Sequence, residues 1–521
     1  MDLWYKKPTL KGDFFMRGIQ KITRLLLILL ALAMVLSTFA ACTTDNEGDV
    51  AATGGNEDST EPINDGIQHG GKWDGWALDE NGYIMDKLPE DMNFEDEFVI
   101  LADSGQQGHF YATEEDTAPV KQSIYSRNST VEERLGITMI WKFDTKSNIV
   151  KLSEVDIQNT HEYDCVVSYN LTPYSMANKG YLHNLKDTTN LNLEAPWWPE
   201  EFLSSMLYKD QIYALVDNAS FGTVTNLSCI FFNNDLLEAK KLESPYDLVN
   251  KNEWTIPKLK EMIKDTYEDK NGNGTPEGGT GGDLYGLVTS TKARITSWYY
   301  GAGLRFSYIN DAGELVFNND VEDATKRIEA IVDLFSSGDA LVHEPVGQYR
   351  MFNEQLAYFY LSVVTMATYM IDNGISVNYG VVPNPKFDSS QSRYYTHVPN
   401  THDAWYLLKG VKDEECSSAF IEAMASEAYR QVNPVFFETT LKVRYAPDEK
   451  LAAMYDIIRE SITFDFVYLY KSVMGSGIDE GIRECILTPE TKQWATVWAG
   501  IKDQMNNNFQ TILDVYEDRA Q

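Results

Sequence analysis

The sequence predicts an α/β fold with two domains, and three observations support this prediction. Short apolar runs typical of buried strands occur at Glu97–Leu101, Ile137–Trp141 and Tyr163–Ser168. Segments with helical periodicity alternate with them, which indicates a largely parallel sheet covered by helices on both faces. The chain has 521 residues, 43% of them hydrophobic, and such a length exceeds what one ordinary core requires.

The helices are predicted from apolar residues spaced three or four apart. The first such stripe runs from Ile124 to Leu135, and Gly136 is a plausible stop signal. Thr255 fits the N-cap of another helix, with Pro257 in its first turn. Further helices are predicted over Val321–Phe335, over 415–428 and over 451–462.

The first 42 residues have the pattern of an export signal, and Met16 starts it in a more usual way than Met1. Basic residues precede the apolar run Leu25–Phe39, which is too short to span a membrane, and Ala40-Ala41-Cys42 follows. The last residues resemble the lipobox of bacterial lipoproteins, with Phe39 where Leu is usual. That resemblance implies lipidation of Cys42, which becomes the mature N-terminus. The alternative is an ordinary secretory signal cut near Ala41, and both alternatives place the rest of the chain outside the cytoplasm.

Residues 43–92 are rich in Asp, Glu, Asn, Gly and Thr, and this composition predicts a flexible acidic tether. Trp73 and Trp76 are unusual in a tether, and we expect them to dock on the folded body. Aromatic rings of this size are normally buried or used in binding.

Charge and cysteine content exclude several classes of protein. The formal net charge is −34, which argues against nucleic acid and anionic membrane surfaces as partners. Four cysteines besides Cys42 are too few for a disulfide framework in a chain of this length. The absence of any CxxC pair argues against a cysteine zinc site.

Asp269, Asn271 and Asn273 begin a Gly-rich segment that fits the start of an EF-hand calcium loop. The twelfth position is Thr280 rather than the bidentate Glu, and no helical pattern follows. We therefore favour a plain surface turn over a calcium site, and we expect no cofactor.

The order of segments from Phe98 to about Arg459 resembles that of sugar-type extracellular solute-binding lipoproteins of bacterial ABC importers, the maltose-binding-protein-like superfamily. Gln355 departs from the Gly that is usual in this family. The matching motifs are the strand Tyr163–Ser168, the run Phe232-Asn233-Asn234-Asp235-Leu236-Leu237, the helix start Trp254-Thr255, the helix end Val332–Phe335, the run Phe352-Asn353-Glu354, the run Tyr379–Pro383 and the helix Glu415–Ala428.

This resemblance implies a two-lobed periplasmic-binding-protein fold of type II, with lobes joined by crossing strands and a ligand cleft between them. Lobe 1 would comprise 93–219 and 404–444, and lobe 2 would comprise 220–395 and 452–521. The crossings would fall near 220–232, 395–403 and 444–451. We expect a monomer that is anchored to the cell membrane by its lipid and delivers a carbohydrate to the membrane subunits of an ABC permease.

The family's cleft positions imply the residues that bind the ligand, because aromatic rings cover sugar faces and polar side chains bind the hydroxyl rim. Core packing is the alternative for each ring. The implied residues are Tyr169, Asn170, Phe221, Asn226, Trp298, Tyr299, Tyr369, Asp403 and Trp405.

Several other functions are alternatives to carbohydrate import. An exported glycoside hydrolase needs two carboxylates across the scissile bond, but with 78 acidic residues a pair can always be found. No G-x-S-x-G, H-E-x-x-H or P-loop motif occurs, so we expect that the protein is not an enzyme. For metal transport, the only candidate metal ligands are His397, His402 and Asp403. A peptide-binding member of the same fold, or a surface adhesin, stays open because fold does not fix the ligand.

Overall fold

The structure is a computed structural model that describes residues 72–217, 221–279, 282–342, 348–399, 402–437 and 449–519. The predicted signal with Cys42, most of the predicted tether and most of the predicted third crossing lie outside these residues.

The described residues form strands and helices that alternate along much of the chain. The strands are β1 Asp96–Asp103, β2 Ile137–Asp144, β3 Cys165–Tyr169, β4 Ser228–Asn233, β5 Tyr285–Thr289, β6 Ser307–Ile309, β7 Leu315–Phe317, β8 Ala340–Val342, β9 Ala357–Val363, β10 Tyr379–Val382, β11 Thr396–His397, β12 Asp403–Tyr406 and β13 Ile462–Thr463. The helices are α1 Pro119–Leu135, α2 Lys146–Val155, α3 Thr172–Asn178, α4 Glu200–Met206, α5 Phe221–Thr225, α6 Asn234–Lys240, α7 Pro245–Asn250, α8 Ile256–Ile263, α9 Thr291–Gly301, α10 Val321–Phe335, α11 Gln348–Asn353, α12 Thr365–Asp372, α13 Glu414–Glu427, α14 Glu449–Glu460, α15 Phe466–Leu469, α16 Lys471–Met474, α17 Gly477–Leu487 and α18 Trp494–Arg519.

The first lobe is built on a four-stranded sheet with the order β12-β3-β1-β2. Strands β1, β2 and β3 run parallel, and Ile100 lies between Trp141 and Cys165 in the register. Strand β12 comes from much later in the chain and pairs antiparallel with β3, which sets Asp403 opposite Tyr169. Helices α1 and α13 pack together over this sheet, where Phe98 stacks on Phe420.

The second lobe is built on a five-stranded sheet with the order β10-β4-β9-β5-β8. Strands β5, β8 and β9 run parallel, whereas β4 runs antiparallel to both of its neighbours. All six residues of β4 are buried, because helices cover both faces of the sheet. Helix α10 packs on α8, and its Ile328 and Ile331 are fully enclosed.

Two features connect the lobes. Strand β11 pairs in parallel with β13, so that Thr396 lies beside Ile462. Helix α18, of 26 residues, packs on α10 and α17. Its last turns reach the first lobe, where Arg519 donates to the carbonyl of Ala177 at 2.6 Å. The C-terminal segment therefore contacts both lobes, although residues 452–521 were predicted to belong to the second.

The helix boundaries follow from the residues that cap them. Helix α1 ends where Gly136 adopts φ 62° and donates to the carbonyl of Glu132, a left-handed conformation that glycine adopts at little cost. Helix α8 begins where the Thr255 side chain accepts a hydrogen bond from the backbone N–H of Lys258. Both boundaries were predicted from the sequence.

The folded body begins earlier than the predicted tether allows. Trp73 donates its indole N–H to the carbonyl of Glu194, and Trp76 packs edge to face on Trp197. Ile84 is fully buried, and Asp86 forms an ion pair with Arg134 of α1. The extent predicted for the tether, 43–92, is therefore wrong over 72–92, because a few large apolar side chains outweigh the polar composition around them.

Two further observations concern the described residues alone. Cysteines 165, 229, 416 and 485 are buried thiols. No helix in the described ranges combines the length and the hydropathy needed to cross a membrane.

Candidate functional site

The candidate site follows from the direction of the strands. In the first sheet, β1, β2 and β3 run parallel, so their carboxyl ends lie at one edge. In the second sheet the same holds for β5, β8 and β9. Ligands of open α/β sheets bind outside the carboxyl ends of such strands. Side chains that follow these strands therefore form the candidate site.

Tyr169 ends β3 at the edge of the first sheet, and its side chain is half-buried. The ammonium of Lys146, in the first turn of α2, lies 4.1 Å from the centroid of the Tyr169 ring. Burial, together with the charge of Asp103, raises the pKa of the Tyr169 hydroxyl to about 12. The hydroxyl is therefore protonated at neutral pH and can donate or accept a hydrogen bond.

Asp403 begins β12 at the same edge and is almost completely buried. His109, in the loop after β1, places its Nδ1 3.2 Å from Asp403 Oδ2. Burial acts to lower the pKa of His109, but the charge and hydrogen bond of Asp403 outweigh it, and the pKa is raised.

Asn170 is also fully buried, and it links β3 to the segment before β12. Its backbone N–H donates to the carbonyl of His402, and its Nδ2 lies 3.0 Å from His402 Nε2. His402 Nδ1 lies 2.9 Å from the carbonyl of Pro399 and must carry the proton. His402 Nε2 therefore accepts from the Asn170 amide, and burial lowers the pKa of His402 to about 4. Within the described residues, Asn170 Oδ1 has no hydrogen-bond partner.

The short helix α5 lies where the two edges meet. Gly222 is so close to Asp403 and His109 that an added methyl group would overlap both side chains. At the other end of the helix, the Thr365 hydroxyl of α12 donates to the carbonyl of Thr225 at 2.5 Å. The predicted residues Phe221 and Asn226 lie in and after this helix, and the Asn226 amide donates to the carbonyl of Gly222.

At the edge of the second sheet, Tyr369 of α12 is 40% exposed. Its ring meets that of Tyr349 edge to face, with 5.5 Å between the centroids. Arg350 donates from Nε to the Tyr349 hydroxyl at 3.1 Å, and this hydrogen bond lowers the pKa of Tyr349. These side chains follow the carboxyl ends of β8 and β9.

Three of the predicted rings are enclosed by protein. Trp298 is 1% exposed, packs edge to face on Phe335 and donates its indole N–H to Thr289. Tyr299 is equally buried and donates to Asp479 at 2.7 Å. Trp405 is buried in the first lobe near Phe110 and Phe420. The structure thus brings Tyr169, Asn170 and Asp403 together, sets Tyr369 at the opposite edge, and places these three rings in the interior.

Sequence reasoning missed several side chains of the two edges, namely His109, Lys146, Arg294, Tyr349 and Arg350. Each follows the carboxyl end of a parallel strand directly or within the next turn or two. The rule that ligands bind outside the carboxyl ends of parallel strands would have found them at β1, β2, β5 and β8.

The segment that resembles a calcium loop is closed by its own hydrogen bonds. Asp269 accepts from the backbone N–H groups of Gly272 and Gly274. The amides of Asn271 and Asn273 both donate to Glu277. Among the described residues, no group of three or more His, Cys, Asp or Glu side chains is arranged to hold a metal ion.

No protein-family model and no curated protein matches this chain. Solved structures, in contrast, do match the chain. The sugar-binding protein MalE from Xanthomonas citri aligns with 82% of this chain and 99% of its own, at a TM-score of 0.53 and 12% identity. MalE from Listeria monocytogenes in complex with maltose aligns with 80% of this chain and 98% of its own, at a TM-score of 0.51 and 14% identity. The maltose/maltodextrin-binding domain MalE from Bdellovibrio bacteriovorus bound to maltotriose aligns with 80% of this chain and 99% of its own, at a TM-score of 0.50 and 15% identity.

Likeness at this low identity shows the fold. It confirms the predicted two-lobed α/β fold, similar to that of the maltose-binding-protein-like superfamily. In a fold of this kind the ligand cleft lies between the two lobes, and the carboxyl edges described above are the candidate positions for it.

Proposed function

We propose that the protein is an extracytoplasmic solute-binding protein of an ABC importer, which captures a carbohydrate in its cleft and delivers it to a membrane permease. It performs no catalysis. The neighbouring folds whose names refer to maltose and maltotriose support this proposal.

The observation that carries the proposal is a set of three partly exposed tyrosines at the carboxyl edges of the two sheets. Tyr169 lies on the first lobe, and Tyr349 with Tyr369 lies on the second. Sugars present apolar C–H faces and a rim of hydroxyl groups, so rings cover the faces while amides and carboxylates bind the rim. When the lobes close, an ill-matched ligand leaves buried polar groups such as Asn170 unpaired, which gives specificity.

The test is a thermal-shift and calorimetry screen of the purified chain against mono- and oligosaccharides, peptides and metal ions. A ligand present at 100 times its dissociation constant adds about 2.7 kcal/mol to the free energy of unfolding, which raises the midpoint visibly. Tyr369→Ala should weaken sugar binding roughly tenfold or more, since a stacked ring is lost.

Tyr308→Ala is the matched control, because Tyr308 is 51% exposed but lies in the hairpin β6–β7, away from both carboxyl edges. It should leave the affinity unchanged. A shift with peptides alone would keep the fold and discard the substrate class. Turnover of glycoside substrates would refute the binder and favour the exported hydrolase.

Membrane tethering through Cys42 is the second part of the proposal, and it rests on the lipobox resemblance alone. Cys42→Ala should release the protein from the membrane fraction of the producing cell, because the residue that carries the lipid is lost. Recovery of the variant in the membrane fraction in the same amount as the parent would contradict a lipid anchor at this position.

A further inference from the structure

Arg294 is a cation at the carboxyl edge of the second sheet, and no residue of the described structure neutralises its charge. It lies in the first turns of α9, and its side chain is partly buried. In the described ranges its guanidinium forms no ion pair and no hydrogen bond, and the polar groups around it are the hydroxyls of Tyr360 and Tyr468 and the thiol of Cys229. None of these neighbours is an anion at neutral pH, because burial raises the pKa of the Tyr360 hydroxyl and of the Cys229 thiol.

Arg294 lies at the carboxyl edge of the second sheet. Helix α9 follows the carboxyl end of β5 and packs against β11, one of the strands that connect the lobes. The charge of Arg294 acts on His397 in β11, which is buried and whose pKa is lowered by burial and by this charge. The partial positive charge at the start of α9 adds to the potential there instead of opposing it.

Two further cations at the edges form no ion pair among the described residues, although the charge of Glu354 acts on Arg350. Lys146 on the first lobe is exposed and lies over the Tyr169 ring. Arg350 on the second lobe is exposed and donates to the Tyr349 hydroxyl. The chain has 78 acidic and 44 basic residues, so carboxylates are abundant, and three cations without an ion pair at the two edges are unusual.

The acidic groups of the same region are already bound by protein donors. Asp403 is held by His109. Asp103 accepts from the backbone N–H of Gly105, and Asp144 accepts from the backbone N–H of Thr145 and the amide of Asn148. Cations are thus available to a ligand, while these carboxylates are engaged.

From this arrangement we infer that the solute is an acidic carbohydrate, a uronic-acid or sulfated oligosaccharide, whose anionic group binds the guanidinium of Arg294. Lys146 and Arg350 bind further anionic groups at the rim. The inference rests on the proposed function and narrows its substrate class. A planar guanidinium matches a carboxylate or sulfate with two parallel hydrogen bonds, which a neutral sugar cannot supply.

The test is calorimetry of the purified chain with trisaccharides in matched pairs, such as trigalacturonate and a sulfated trisaccharide, each against a neutral trisaccharide. Arg294→Gln keeps most of the side-chain volume and removes the charge. Arg459→Gln is the matched control, because Arg459 lies in α14 and pairs with Asp456. We expect an acidic trisaccharide to bind, the neutral ones to bind at least tenfold more weakly, and Arg294→Gln to lose roughly 10- to 100-fold in affinity for the acidic one.

A second measurement does not depend on the folding of a variant. Raising the salt concentration should weaken binding of the acidic trisaccharide by the parent protein, since exposed charges such as Lys146 are screened. Equal affinity for neutral and acidic sugars, or tight binding of neutral sugars alone, overturns the anionic assignment and leaves sugar binding intact. Binding of no saccharide of either kind overturns both the assignment and the proposed function.

Discussion

Asp403 holds the imidazole of His109, a residue 294 positions earlier in the chain, with 3.2 Å between His109 Nδ1 and Asp403 Oδ2. The two residues join the loop after β1 to the start of β12, so one charged contact fixes two chain segments at the edge of the first lobe. Gly222 of α5 packs directly against both side chains.

The His109–Asp403 pair should make stability depend on pH. The pKa of His109 is raised, because the charge of Asp403 outweighs burial and the opposing charge of Lys121. The contribution is fully present below the unfolded pKa of about 6.5 and is lost as the pH rises through the higher folded value. His109→Gln should therefore cost roughly 1 to 3 kcal/mol at about pH 5.5 and much less at alkaline pH. Chemical denaturation of parent and variant across this range measures the difference, and a pH-independent difference would refute the linkage.

Gly222→Ala should destabilise the protein. The added methyl group would overlap the carboxylate of Asp403, which is almost completely buried, and the ring of His109. We expect a lower unfolding midpoint together with a smaller pH dependence of the kind just described. Gly313→Ala is a useful comparison, since its methyl group would meet nothing within 4 Å and only the positive φ of 76° is strained. If Gly222→Ala lowers the unfolding midpoint no more than Gly313→Ala does, then His109 and Asp403 tolerate displacement.

Because of Glu422 in α13, the free energy of unfolding should fall as the pH rises. Burial raises its pKa to about 8, against hydrogen bonds from the backbone N–H of Asn192 and from the indole of Trp198. The folded state therefore retains a proton that the unfolded state loses above about pH 4.5, and stability falls between that pH and about pH 8. Each unit of pKa difference corresponds to about 1.4 kcal/mol.

Glu422→Gln removes this titration while keeping the shape of the side chain. The variant should be more stable than the parent at about pH 8, and the gain should shrink toward pH 5. Glu415→Gln on the same helix is the control, because Glu415 is exposed. Thermal unfolding at several pH values gives both curves, and parallel curves for parent and Glu422→Gln would contradict the raised pKa.

Calcium should leave the protein unchanged. The oxygens of Asp269, Asn271 and Asn273 already accept backbone N–H groups within their own loop. We expect the unfolding midpoint to be the same in millimolar calcium and in excess chelator. A clear rise with calcium that is lost in Asp269→Ala would replace the surface turn with a metal site.

The fold was predictable from the sequence because its elements carry strong local signals. The apolar run Ile137–Trp141, the N-cap Thr255 and the stop signal Gly136 predicted β2, the start of α8 and the end of α1. The pairing of β12 with β3 had no local signal, because it joins residues more than 230 positions apart. The sequence also did not predict that residues 72–92 pack on the folded body as far as they do. Composition is an average over the segment, and the burial of Ile84 contradicts the tether that this average predicts.

The site was less predictable than the fold. Tyr169 and Asp403 were implied by the resemblance to the family, and the structure sets them opposite each other. The same resemblance implied Trp298 and Tyr299, but the turn of α9 directs them toward Phe335 and Asp479. Arg294, one turn earlier in that helix, carries no sequence motif. Which side of a helix meets the cleft depends on tertiary packing, which a short segment does not encode.

The C-terminal helix has a mechanical consequence for solute capture. Its middle packs on the hairpin β6–β7, where Phe509 stacks on Phe317 of the second lobe. Its end is bound to the first lobe through Gln211, whose amide donates to the carbonyl of Tyr516, and through Arg519. Because this helix is bound to both lobes, we expect it to limit how far the lobes can swing apart. We therefore expect little rotational freedom to be lost when a solute is enclosed, so that more of the contact energy appears as affinity.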